Sequence, residues 1–125
     1  MADSNPQAFG AWVRSRREQL GLSLREFALA SGLDPGNLSK YERELLPAPQ
    51  EQDTLKRIAT ALKLKHGTRE YEDFVDLAAA SAGRIPPDLA ADPRVLSKMP
   101  LLFRTARGKL SRAKLIELAE RLKDA

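Results

Sequence analysis

Apolar residues recur through the first two thirds of the chain at spacings of three and four, the signature of amphipathic helices. Phe9, Trp12, Val13 and Leu20 form the first such stripe, so a helix is expected from Pro6 to about Gln19, closed by Gly21. Ser23 then offers an N-cap with Glu26 at capping-box spacing. Leu24, Phe27 and Ala28 give a short second helix that Gly32 ends. After a tight turn, Asp34-Pro35 supplies an N-cap followed by proline at the first helical position. Leu38, Tyr41 and Leu45 are expected to form the buried stripe of this third helix.

Leu46-Pro47-Ala48-Pro49 reads as a loop, because proline disfavours helix at its own position and at the one before it. Leu55, Ile58, Ala59 and Leu62 define a fourth helix, and Tyr71, Phe74, Val75 and Ala78 a fifth that begins after Thr68. Gly83 and Pro86-Pro87 end that run. Asp92-Pro93 restarts a helix, Pro100 kinks or restarts it, Gly108 stops it, and Ser111 caps a last helix with Leu115, Leu118, Ala119 and Leu122 on one side. The fold class is therefore all-α: a five-helix domain over residues 7–82 with a helical C-terminal extension over residues 83–125. Aromatics are only 6% of the 125 residues, so the core must be built mainly from Leu, Ala, Val and Ile, which suits helices.

Charge adds a division that hydropathy does not show. The net charge of +4 is unevenly spread: residues 1–66 carry +2, residues 67–93 carry −4, and residues 94–125 carry +6. A basic excess of this kind suits a polyanionic partner.

Several chemistries are excluded. The absence of cysteine removes disulfides, thiolate metal sites and thiol catalysis. His66 is the lone histidine and reads as a surface residue after the fourth helix; no phosphate loop, nucleophile elbow or histidine-zinc pair is present. The chain is accordingly expected not to be an enzyme and to need no metal and no cofactor. No apolar run reaches the roughly 18 residues of a membrane span and no signal pattern opens the chain, so a cytoplasmic protein without membrane partners is expected.

Two short helices joined by a tight turn are the geometry of a helix-turn-helix. Gly21-Leu22-Ser23, the Phe27-Ala28 pair, the Gly32-Leu33 turn, the exit Leu38-Ser39-Lys40-Tyr41-Glu42-Arg43 and the later Thr54-Leu55 to Ala61-Leu62 helix together resemble the phage-repressor-like, or xenobiotic-response-element, helix-turn-helix family. The resemblance covers Phe9 to Leu64. It implies a dimer that binds DNA and represses transcription. The sequence departs from the family in two places: Glu44 follows Arg43 where glycine is usual, and the stretch to Leu55 is about two residues longer.

Continuing the stripe of the first helix by four residues from Val13 reaches Arg17, and continuing that of the third from Leu38 reaches Glu42. Unpaired buried charges are costly, so the two are expected to form a structural ion pair, a pairing the resemblance also implies; the alternative is two solvated charges at the edge of the stripe. A recognition helix presents its N-terminal residues to base edges in the major groove. Asp34 is a cap and Pro35 lacks a donor, which leaves Asn37 and Lys40 as the main readers, with Ser39 and Tyr41 as lesser candidates. Gly36 permits close backbone approach. Ser23, Arg25 and Arg43 stand at the positions matching the family's backbone contacts.

The extension is rich in apolar residues, among them Leu101, Leu102, Phe103, Leu115, Leu118 and Leu122, which must pack on the first domain or on another copy. Because one recognition helix reads only a few base pairs, a homodimer joined through these residues on an inverted-repeat double-stranded operator is expected. The alternative is an antitoxin that binds a partner toxin and autoregulates its operon, with the basic residues of the tail facing the partner. A regulatory protease that cleaves the tail is a third partner class.

Overall fold

The computed structural model describes residues 8–109 and 112–123. The chain divides into two compact units, the first ending at Pro86 and the second beginning at Pro87. Among the described residues every regular element is helical.

The first unit holds α1 (Phe9–Gln19), α2 (Leu24–Ser31), α3 (Pro35–Glu42), α4 (Gln52–Ala61) and α5 (Arg69–Ser81). Its core is formed by Val13, Phe27, Leu38, Ile58 and Phe74, one from each helix, with Leu62 from the C-cap of α4, all fully buried. α3 packs on α1 and α2, α2 on α4, and α1 on α5. The last contact is aromatic: the Phe74 ring lies 5.6 Å from Phe9 and 6.0 Å from Trp12, in tilted arrangements that favour edge-to-face attraction.

Helix starts follow local chemistry. The Ser23 hydroxyl accepts the Glu26 N–H at 3.0 Å while the Glu26 carboxylate accepts the Ser23 N–H at 2.8 Å, completing the capping box. Asp34 accepts the Asn37 N–H at 3.0 Å and Thr68 the Tyr71 N–H at 3.2 Å. Helix ends share one device. Beyond α1, α3, α4 and α5 stands a left-handed residue whose N–H bonds back to the second-last helical carbonyl, while the N–H of the next residue bonds to the third-last, as in the Schellman motif. Gly21 and Gly83 fill that position in α1 and α5, but Glu44 (φ 61°) and Lys63 (φ 58°) fill it in α3 and α4.

The second unit contains α6 (Pro87–Ala90), α7 (Pro93–Arg104), a π-helical turn (Thr105–Lys109) and α8 (Arg112–Lys123). Asp92 caps α7, accepting the Arg94 N–H at 2.9 Å.

Two expectations need correction, one alternative falls away, and one element is added. α3 ends at Glu42, and the left-handed Glu44 turns Leu45 out to 61% exposure, so Leu45 is not part of the buried stripe. α7 runs through Pro100 without restarting. Gly108 does not stop the helix, because the wider π-helical turn carries helical backbone on to Lys109. The short α6, which begins at Pro87, was not foreseen. Pro6, Ser111 and the side chains of Leu115, Leu118 and Leu122 lie outside the described residues.

Candidate nucleic-acid interface

α3 has two unlike sides. Leu38 and Glu42 face inward and are buried, whereas Pro35, Gly36, Asn37, Lys40 and Arg43 are exposed. Its inward side is clamped by charge: Arg17 Nε donates to Glu42 Oε2 at 2.7 Å and Nη2 to Oε1 at 2.9 Å, a bidentate fork. The side chains are 12% and 5% exposed, so the pair belongs to the interior. The third guanidinium nitrogen, Nη1, donates to the Leu22 carbonyl at 2.9 Å and fixes the turn that precedes α2. Hydrogen bonding to Glu42 holds the Arg17 guanidinium above its ordinary pKa despite burial. One side chain thus joins α1, the entry to α2, and α3.

The approach of α1 to α3 is set by a glycine. A Cβ on Gly10 would lie 2.3 Å from the Tyr41 carbonyl oxygen and 2.7 Å from that of Glu42, both backbone atoms. Only a residue without a side chain fits there.

The outward side places the sequence-derived DNA candidates as follows. Asn37 and Lys40 are exposed, and among the described residues Lys40 has no acidic partner. Arg43 Nε donates to Ser39 Oγ at 3.2 Å, so these two form a joined polar pair one turn beyond Asn37. Tyr41 is half-buried and packs against the core. At the start of α2, Ser23 and Arg25 are exposed, but the Ser23 N–H is already taken by Glu26. That bond, with the one from the hydroxyl, holds the Glu26 carboxyl below its usual range. Its folded pKa being depressed, the capping box contributes stability above the unfolded carboxylate pKa and loses it as pH falls through the folded one.

Three positioning groups left almost no sign in the sequence. Arg16 donates from Nε to the Leu62 carbonyl at 3.0 Å and from Nη2 to that of Lys63 at 3.3 Å, satisfying the C-terminal end of α4. Ala48, buried between Pro47 and Pro49, donates its N–H to Ser81 Oγ at 2.9 Å. Gln50 Nε2 donates to the carbonyls of Ala48 and Ala78, each at 3.0 Å. The exit from α3 is therefore tied to the end of α5. An apolar residue trapped between two prolines was the sole hint of that anchor.

Residues 13–67 match the family model described as helix-turn-helix. That segment is a phage-repressor-like helix-turn-helix domain. It runs from within α1 to just past α4, so the helix-turn-helix domain shares its core with α5, which lies beyond the matched residues. No curated protein and no solved structure matches the chain significantly. The coarse function that goes with the helix-turn-helix domain is that of a DNA-binding transcriptional regulator. Among the described residues no helix is long and apolar enough to cross a membrane.

The left-handed Glu44 stands after α3 where the resemblance leads one to expect glycine. An L-residue there costs roughly 1–2 kcal/mol, and glycine returns about 0.5–1 kcal/mol of that through its freer unfolded state. Glu44→Gly is expected to raise stability by about 0.5–1 kcal/mol, read as a shift in the urea midpoint at constant slope. An unchanged or lower midpoint would mean that the Glu44 side chain supplies a contact worth as much as the strain.

Proposed function

We propose that the protein is a dimeric, sequence-specific repressor in which α3 enters the major groove of each half of an inverted-repeat operator. The observation that carries this reading is the two-sidedness of α3: its inner side is fixed by Leu38 and the Glu42–Arg17 fork, and its outer side offers Asn37 and Lys40 near the N-terminal end. Asn suits adenine and Lys suits the acceptors of guanine, while Gly36 lets the backbone approach closely. Ser23, Arg25, Ser39 and Arg43 hold the phosphates, and Tyr41 works mainly by packing.

Selection of sites from a random duplex pool tests it. Each good base contact is worth roughly 1–3 kcal/mol of discrimination. Lys40→Ala should relax preference at one position of each half-site, whereas Arg25→Ala should weaken all duplexes alike. A selected-site profile untouched by Lys40→Ala would remove α3 from the reading role.

The dimer contact is assigned to the second unit. Leu101, Leu102 and Phe103 are all exposed, but at about 100° per residue Leu101 lies nearly opposite Met99. Leu102 and Phe103, with Leu96, make the usable stripe. The same stripe favours one second reading, an antitoxin whose tail holds a partner toxin. A small toxin reading frame beside this one supports the antitoxin; a metallopeptidase frame supports a repressor released by cleavage.

A further inference from the structure

We propose that α7 is a second DNA-contacting element, whose cationic face lies along the phosphate backbone of the duplex that the helix-turn-helix domain holds. The proposal rests on that domain binding DNA.

From Pro93 to Lys109 the chain carries five cations, Arg94, Lys98, Arg104, Arg107 and Lys109, and no acidic residue. The other long helices supply an internal control for whether this is an ordinary solvated surface. α1 carries Arg14–Glu18, α4 Asp53–Arg57, α5 Arg69–Asp73 and α8 Glu117–Arg121, each an ion pair at four-residue spacing. α7 is as long as these and has no such pair among the described residues. Arg94 meets only its capping Asp92, at 3.4 Å, and Lys98, Arg104 and Arg107 are exposed without an acidic partner among the described residues. Each of those helices pairs at least one of its cations with a carboxylate of its own, whereas α7 holds no carboxylate to do so.

The charge is also sorted. At about 100° per residue, Arg94, Ser97, Lys98 and Arg104 fall within an arc of roughly 120° that also contains the exposed Leu101, and Val95, Leu96, Met99, Leu102 and Phe103 fall within a similar arc on the opposite side. Val95 and Met99 are half-buried, and α6 packs on α7. The apolar side is thus free to join two copies while the cationic side faces away. Arg94 to Arg104 spans about 15 Å along the axis, roughly the length occupied by four phosphates of one strand. Tethering to a domain already on the duplex supplies the high local concentration that so small a contact needs.

Counterion release gives the test its number. Each phosphate contact contributes about 0.9 to the slope of log K against log salt on duplex DNA. The full chain and its Lys98→Gln/Arg104→Gln variant would be titrated on a mixed-sequence 30-base-pair duplex across a salt series. The slope should flatten by about 1.8 per chain in the variant and be kept by the charge-conserving Lys98→Arg/Arg104→Lys. Circular dichroism and melting of both variants check that the helices persist; a Gln variant that unfolds would be replaced by Lys98→Ala and Arg104→Ala singly, each expected to remove about 0.9. An unchanged slope in the Gln variant, with Arg25→Ala still flattening it, would overturn the proposal and leave the helix-turn-helix reading standing. No duplex binding by the parent chain would sink that reading itself. Binding of the parent to phosphatidylserine vesicles that is lost in the Gln variant, with the DNA slope unmoved, would assign the face to an anionic membrane and equally overturn the proposal.

Discussion

Arg17→Met is expected to lower the stability of the first unit by about 3–5 kcal/mol, the cost of leaving one member of a buried pair without its partner. For a unit of this size each kcal/mol shifts the melting temperature by roughly 4–8 °C, so the variant should melt well over 10 °C below the parent. Three bonds disappear at once: the two from the guanidinium to Glu42, at 2.7 and 2.9 Å, and the one to the Leu22 carbonyl. The Glu42 carboxylate, 5% exposed, then has neither partner nor water. Arg17→Met/Glu42→Leu should recover most of the loss, since an apolar replacement of similar volume removes the stranded charge. About 1 kcal/mol should stay missing because the Leu22 carbonyl still lacks its donor. Thermal melts of the two single variants and the double close the cycle. Small, additive losses in all three would put the pair in solvent, contrary to its geometry.

Gly10→Ala should also be damaging, to a smaller degree and for an unrelated reason. Helix propensity alone favours alanine by about 1 kcal/mol. Against that, the new Cβ would stand 2.3 Å from the Tyr41 carbonyl and 2.7 Å from that of Glu42, and neither backbone atom can swing aside as a side-chain tip would. α1 and α3 must move apart, loosening Phe9, Val13 and Leu38 together. Overpacking of this kind costs about 1–3 kcal/mol, and a clash with two backbone atoms belongs at the upper end, so a net loss of up to about 2 kcal/mol is expected. On the proposed function the displaced helix is the one that reads DNA, so DNA affinity should fall with stability, whereas Lys40→Ala should lower discrimination at unchanged melting temperature. A Gly10→Ala protein that melts at or above the parent would show that the two helices have room to spare.

What could be read from the sequence was the chemistry that acts within one turn. Ser23 with Glu26, Asp34 before Pro35, Thr68, Asp92, and the glycines at 21, 32 and 83 announce helix ends because a cap is satisfied by neighbours two to four residues away. The Arg17–Glu42 pair, 25 residues apart, was legible only because each charge interrupts an apolar period. Contacts without a period were not. Ala48 reaches Ser81 across 33 residues, Gln50 reaches Ala78 across 28, and Arg16 reaches Leu62 across 46, and none of these residue types at these positions breaks a pattern. Leu45 was misread for a related reason. Its spacing from Leu38 and Tyr41 fits a helix perfectly well, but the backbone has already reversed at Glu44, in a conformation ordinarily announced by glycine. On the candidate interface, the exposure of Asn37 and Lys40 followed from the same period that buried Leu38, while the engagement of the Ser23 N–H and the Ser39–Arg43 pair depended on rotamers.

The ties from Ala48 and Gln50 to α5 also decide where the smallest autonomous piece of this chain ends. Cut at residues 13 and 67, the segment that carries the helix-turn-helix signature would lose Phe9 and Phe74 from the core and would strand the Ala48 amide that Ser81 accepts. The inherited motif and the cooperative folding unit therefore have different borders. The motif preserves α2 and α3, while the core that holds them includes a helix outside it. On the proposed function, substitutions in α5 that never approach DNA would reach it through the loop that leaves α3, so the energetic border of the recognition surface would lie as far away as Ser81.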